Sequence, residues 1–160
     1  MIRRAAEADM PAIMEIYAAA RIFMAERGNP RQWGNGYPGE ELLRSDIRKG
    51  QLFIEEFDGA IHGVFAFVLG EDPTYRKIED GGWLSDQPYG TIHRVASDGC
   101  RSGFLKRITE YCEEITGHIR IDTHEENQTM RRSILRNGFT RCGIIFAADG
   151  SPRIAYEKVQ

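Results

Sequence analysis

Long apolar runs are missing from this 160-residue chain. The longest, Val64-Phe65-Ala66-Phe67-Val68-Leu69, falls far short of the roughly 20 residues that a membrane-spanning helix needs, so no membrane partner is expected. Cysteine is sparse. Cys100, Cys112 and Cys142 are odd in number, and their spacing fits neither a CxxC metal knuckle nor a disulfide framework, so reduced thiols are expected. An excess of one charge is also absent: Lys plus Arg is 21 and Asp plus Glu is 24, a formal net charge of −3. That argues against a nucleic-acid backbone as the main partner, because domains of that kind carry a large positive excess. Acids and a proline follow Arg3 and Arg4 before any apolar segment begins, so no secretory leader is read and a cytoplasmic protein is expected. No Pro/Gly/Ser-rich linker and no repeat divides the chain, and a single domain over residues 1–160 is expected.

The common enzyme signatures are lacking as well. There is no Walker lysine motif, no GxGxxG fingerprint and no GxSxG elbow, and His62, His93, His118 and His124 lack metal-ligand spacing, so no metal is expected.

What the sequence does contain is an alternation of helical and extended patterns. Ile13, Tyr17, Ala20 and Met24 recur at helical spacing, which predicts a first helix capped by Asp9 and running to about Arg27. Gly28-Asn29-Pro30 stops it, and a glycine-punctuated loop with exposed Trp33 and Tyr37 leads to a short helix through Leu43 and Ile47. Gln51 to Phe57 and Ala60 to Leu69 flank Asp58-Gly59, a dipeptide suited to a tight hairpin. Glu71 to Tyr89 reads as an irregular excursion, and Gly90 to Ala96 as another strand. Leu105, Ile108, Cys112 and Ile115 form one apolar stripe of a helix ending at Gly117, and His118 to Asp122 alternates like a strand. Thr123-His124-Glu125-Glu126 has the form of a capping box, and Asn137-Gly138 ends the helix it would start. Phe139 to Phe146 and Ile154 to Val159 form a last hairpin about Asp149-Gly150. The predicted order is β-α-α-β-β-β-α-β-α-β-β. It corresponds to an α+β fold of three layers, a mixed and mostly antiparallel twisted sheet flanked by helices, with one parallel pair across a β-α-β unit. The exposed edge of the terminal hairpin offers a surface for a homodimer.

One junction carries chemistry. From Thr91 to Leu105 a strand passes through the small-residue loop Ser97-Asp98-Gly99-Cys100-Arg101-Ser102-Gly103 into an amphipathic helix. Such a loop aims backbone N–H groups at one point, where the positive end of the helix dipole favours an anion. Two glycines that merely turn the chain are the competing reading.

The element order, this junction and the helix that follows Asn127 together resemble the GNAT-type N-acetyltransferase superfamily over essentially the whole chain. The resemblance implies an acyl-CoA N-acyltransferase fold and transfer of an acetyl group from acetyl-CoA to a primary amine of a small molecule or peptide. It implies that the strand opens by a bulge, that the Val95 amide donates to the acetyl carbonyl, and that the loop wraps the pyrophosphate. Val95, Ala96, Cys100, Arg101, Ser102, Gly103, Phe104, Leu105 and Asn127 are then the cofactor-binding positions. Two of the three anchor positions of the family's loop pattern depart, with Cys100 at the first and Leu105 where a small residue is usual. Asn127 and Gly138-Phe139 match the family's helix, but the position of its usual acid, a tyrosine, holds Ile134.

His93, on the strand just before the acetyl site, is the candidate base, because an imidazole titrates near neutrality; a strand histidine satisfied by a neighbour is the alternative. Glu55, Glu56 and Glu71 are other candidate bases, and Tyr156 another acid. Trp33, Tyr37, Tyr75 and Trp83, on the irregular segments that overhang the acceptor cleft in the family, are the candidate substrate-binding residues; the alternative is that they clamp loops to the core. The departures at Leu105 and Ile134 also suit a member of the fold that binds acyl-CoA or another ligand as a sensor.

Overall fold

A computed structural model of the chain describes residues 1–34 and 36–160. The elements occur in the predicted order: β1 (Ile2–Arg4), α1 (Met10–Glu26), α2 (Glu40–Arg48), β2 (Leu52–Phe57), β3 (Ala60–Leu69), β4 (Gly90–Ser97), α3 (Phe104–Glu113), β5 (His118–Thr123), α4 (Gln128–Arg136), β6 (Thr140–Phe146) and β7 (Pro152–Val159). The α+β class with a mixed, mostly antiparallel sheet is therefore observed. The chain divides into two compact units, Met1–Phe67 with His93–Phe104, and Val68–Ile92 with Leu105–Gln160.

In the first unit β1 pairs antiparallel with β2, and β2 with β3, with Arg3 opposite Ile54 and Phe53 opposite Phe65. The β2–β3 turn places both Asp58 (φ 52°) and Gly59 (φ 73°) in the left-handed region, as a two-residue hairpin of right-handed twist requires. Met10, Ile13, Ile16 and Tyr17 of α1 and Leu43 of α2 bury one face against Leu52, Ile54, Val64 and Ala66. Asp9 stands at the N-cap of α1, but its carboxylate makes no capping bond there. It accepts from Arg3 Nη1 (2.8 Å), Arg3 Nη2 (3.0 Å) and the Ala6 amide (2.7 Å), closing the turn before the helix. Those bonds from Arg3 hold the Asp9 carboxyl below the usual carboxylate range.

In the second unit β4 and β5 form the expected parallel pair, with Thr91 opposite Arg120. β5 pairs antiparallel with β7, and β7 with β6. Two sequence expectations fail here. The predicted capping box is replaced by Asn127, whose Oδ1 accepts from the Met130 amide at 3.1 Å, because Thr123 is drawn into β5 opposite Ile154. Ile115 lies beyond α3 and is exposed, so the buried stripe ends with Leu105, Ile108 and Cys112.

Gly63 on β3 is a close-approach glycine, since an added Cβ would lie 2.5 Å from Cε1 and Cζ of the buried Phe104 ring. Phe104 ends the loop of interest, so Gly63 lets β3 seat that end. Gly63→Ala is expected to lower stability by about 1–3 kcal/mol, the usual cost of overpacking. Thermal melting measures this, and adding Phe104→Leu to Gly63→Ala should recover part of the loss; no loss in the single variant would show that the ring is not held there.

Candidate active site

The first unit contains a break in strand geometry at Arg94. Its φ is +54°, a conformation that costs a side-chain-bearing residue on the order of 1–2 kcal/mol. Tertiary contacts over-determine it. Asp46, 2% exposed, takes Nε of Arg94 at 3.0 Å and Nη2 at 2.9 Å, and its other oxygen accepts from Gln51 Nε2 at 2.8 Å. The hydroxyl of Tyr17 donates to the Arg94 carbonyl at 2.7 Å. Burial pushes the Tyr17 phenol well above its usual range, so it stays a donor. In a trans peptide the carbonyl and the amide of one unit point in opposite directions. Fixing the Arg94 carbonyl on Tyr17 therefore turns the Val95 N–H away from α1.

Trp33 and Tyr37 stand beside this bulge. The Trp33 ring lies 5.5 Å edge-on from Tyr17 and 6.2 Å from Tyr37, and Arg94 Nη1 donates to Tyr37 Oη at 3.3 Å. The sequence places both rings on an exposed loop; Tyr37 is exposed, but Trp33 is 8% exposed and belongs to the core of this unit. The area of an indole outweighs its position on a loop.

Beyond the bulge, Asp98 to Gly103 form the small-residue loop, with Gly99 (φ 76°) and Gly103 (φ 80°) both in the left-handed region. Its residues are exposed, while Val95 is half-buried and Ala96 buried. The Asp98 amide donates to the His62 carbonyl of β3 at 2.9 Å, and Asp98 Oδ1 accepts from the Cys100 amide at 2.9 Å. Arg101 stacks over the Phe57 ring at 4.8 Å. His93 is half-buried on β4.

In the second unit an open cavity of about 610 Å³ is lined by Glu71, Tyr75, Arg76, Trp83, Leu84, Ser85, Asp86, Tyr89 and Arg120. Two of the sequence candidates, Tyr75 and Trp83, thus meet here. Tyr75 is 1% exposed. Its hydroxyl donates to Asp122 Oδ2 at 2.6 Å, its carbonyl accepts from Trp83 Nε1 at 2.9 Å, and burial together with Asp122 raises its phenol well above the usual range. Arg120 lies 3.9 Å from the centres of both the Trp83 and Tyr89 rings.

Of the other predicted residues, Leu105 is buried in α3, so its bulk is turned into the core. Asn127 caps α4, and Ile134 and Tyr156 are buried. Sequence reasoning missed Tyr17, Asp46, Arg94, Tyr89 and Arg120. Only Asp46 carried a signal, an acid three residues after Leu43 on the face of α2 that packs inward.

No family model matches the sequence, and no curated protein does. Solved structures do. The fold is similar to that of an acetyltransferase of the GNAT family from Streptococcus agalactiae, with 30% identity and a TM-score of 0.91 over 100% of this chain and 95% of that one. It is also similar to an aminoglycoside acetyltransferase solved with coenzyme A and kanamycin (17% identity, TM-score 0.68, 100% of this chain and 94% of that one). A protein of Salmonella typhimurium solved with acetyl-CoA matches at 18% identity and a TM-score of 0.60, over 99% of this chain and 92% of that one.

Proposed function

Because the chain belongs to the GNAT family of acetyltransferases, we propose that residues 1–160 act as one N-acetyltransferase domain that moves an acetyl group from acetyl-CoA to a primary amine of a small molecule or peptide by direct aminolysis. The amine nitrogen bonds to the thioester carbonyl carbon, the C–S bond breaks, and CoA leaves as a thiol with the proton the amine gives up. Such a reaction needs a donor where charge develops on the carbonyl oxygen, a base for the amine and tight positioning of both reactants.

The observation that carries this reading is the turned peptide at Arg94. A strand amide aimed by Tyr17 and Asp46 is what an acetyl carbonyl would use, and the donor is then the amide of Val95. His93, one residue before the bulge, is the base. The Asp98 and Cys100 amides already donate to His62 and Asp98, so the amides of Ala96, Gly99, Arg101, Ser102 and Gly103 hold the pyrophosphate, and Phe104 and Leu105 seat the loop on the core. The buried side chain of Leu105 supports this, since it leaves main-chain amides as the ligands. Ile134 donates no proton. A thiol titrates near 8.5, judged by cysteine, so CoA departs without a dedicated acid. Trp83 and Tyr75, with Glu71, Asp86 and Tyr89, form the acceptor pocket; Arg76 pairs with Glu71 and Arg120 lies over the Trp83 and Tyr89 rings, so the Asp86 carboxylate is what an ammonium group of a small molecule would meet. The aminoglycoside acetyltransferase of similar fold was itself solved with kanamycin, a small molecule.

Calorimetric titration with acetyl-CoA and with CoA, followed by thiol release against a panel of amines, tests the reading. Absence of binding at millimolar cofactor would sink it, and tight binding without turnover on any amine would favour a sensor. Gly103→Trp, at φ +80°, is expected to weaken CoA binding by at least about tenfold, or about 1.4 kcal/mol. Unchanged affinity would mean that the pyrophosphate lies elsewhere. His93→Ala should lower kcat by about 10²-fold or more, the contribution of a general base, and an unchanged kcat would remove His93 from the chemistry.

A further inference from the structure

We propose that His62, Asp98 and Cys100 form a binding site for one divalent transition-metal ion of the zinc class. Three different ligand types from two separate elements converge here, His62 from β3 and the other two from the loop after β4. An imidazole nitrogen, a carboxylate oxygen and the Cys100 sulfur all lie within 4.8 Å of one another.

The dimensions fit a small ion. Zinc takes sulfur at about 2.3 Å and nitrogen or oxygen at about 2.0–2.2 Å in a tetrahedron, which sets its ligands roughly 3.3–3.7 Å apart. One pair, His62 Nδ1 and Asp98 Oδ2, is 2.7 Å apart and hydrogen-bonded. An ion taking the place of the proton in that bond needs the pair to open by about 1 Å or less.

The groups are held for the task. Phe57 stacks on the imidazole with ring centres 3.8 Å apart, which fixes the ring plane. The bond from the Asp98 amide to the His62 carbonyl ties the loop to the strand, and the bond from the Cys100 amide to Asp98 Oδ1 folds the cysteine back beside its neighbours. The donor set decides the ion. A thiolate and an imidazole with one carboxylate disfavour calcium and magnesium, which take oxygen, and match zinc. Three protein ligands leave a fourth position for water.

The test is titration of the reduced full-length chain with zinc sulfate, followed by calorimetry, and with cobalt(II), followed by its thiolate charge-transfer absorption. The expected result is one ion per chain and a cobalt–thiolate band that Cys100→Ser removes. His62→Gln and Cys100→Ser should each weaken zinc binding by more than about tenfold, the loss that even an outer-shell partner causes. Cys112 and Cys142 are buried and serve as internal controls, so Cys112→Ala should leave the band in place. No uptake by the reduced chain, or a band that survives Cys100→Ser, would overturn the proposal. Cys100 and His62 are both surface-accessible or partly so, and circular dichroism of each variant separates lost ligation from lost fold. The outcome is independent of acetyl transfer, because no step of the readout uses acetyl-CoA.

Discussion

Glu157→Ala is expected to destabilise the protein by about 3–5 kcal/mol, the cost of removing one partner from a buried ionic cluster. Glu157 on β7 is fully buried, and its carboxylate meets an arginine, a histidine, a backbone amide and a thiol. Oε1 accepts from Arg120 Nε at 3.2 Å and meets His118 Nε2, while Oε2 accepts from the Leu84 amide at 2.6 Å. The thiol of Cys142 adds a weak bond at 3.7 Å, and burial, then Glu157, pushes that thiol up to about 11. Alanine leaves a buried guanidinium without its counter-charge and the Leu84 N–H without its acceptor. Arg120 keeps the Ser85 carbonyl at 2.7 Å and the two aromatic faces.

Glu157→Gln should lose less than alanine, because one oxygen still accepts, but its amide nitrogen then faces donors. Urea denaturation with an unchanged m-value measures both. A loss below about 1 kcal/mol for alanine, the level of a solvated pair, would show that the cluster is hydrated. A second readout follows from the cavity. Leu84, Ser85 and Arg120 line it, so Glu157→Gln should raise KM for the amine while leaving affinity for acetyl-CoA unchanged. A rise in both would point to general loosening instead.

The order of elements was legible because each carries its own period or punctuation. Asp58-Gly59 adopts the two positive φ angles its hairpin needs, and Leu105, Ile108 and Cys112 are buried on one stripe. Local signals failed where long-range pairing competed with them. Thr123 has the chemistry of a cap, yet a strand partner, Ile154, claims its backbone. Asp9 has the chemistry of a cap too, yet Arg3 offers a charged partner and takes the carboxylate. Trp33 sits on a loop and Tyr75 ends a short 3-10 turn, yet both rings are buried, because an aromatic ring carries more apolar area than such segments leave in water. The flip at Arg94 had no local signal at all. Nothing in Ile92-His93-Arg94-Val95 favours a left-handed arginine, and its causes, Tyr17 and Asp46, lie 77 and 48 residues away. Only the resemblance pointed to a bulge on that strand, and it named the residue after the flip rather than the residues that hold it.

That dependence makes Asp46 the second decisive position. Asp46→Ala is expected to lower kcat by about 10²-fold or more, the loss seen when one oxyanion donor is removed. On the proposed reading its carboxylate is a positioning group that acts through Arg94. Without it, the bonds to Tyr17 and Tyr37 are left to offset the roughly 1–2 kcal/mol that the left-handed conformation costs an arginine. The peptide then relaxes toward regular strand geometry, the carbonyl leaves Tyr17 and the Val95 amide swings off its target. Asp46→Ala also strands a buried guanidinium, so stability falls by about 3–5 kcal/mol, and the kinetic effect must be separated from simple unfolding. Adding Arg94→Gly to Asp46→Ala makes that separation. Glycine adopts φ > 0 without strain and carries no charge to strand, so the double variant should regain most of kcat and much of its stability. Tyr17→Phe removes the hydroxyl that fixes the carbonyl and should lower kcat by a smaller factor with KM for acetyl-CoA little changed. If Asp46→Ala melts early yet turns over normally while folded, the ion pair supports only the core. If Arg94→Gly fails to restore turnover in the double variant, the conformation at residue 94 is not what aims the amide.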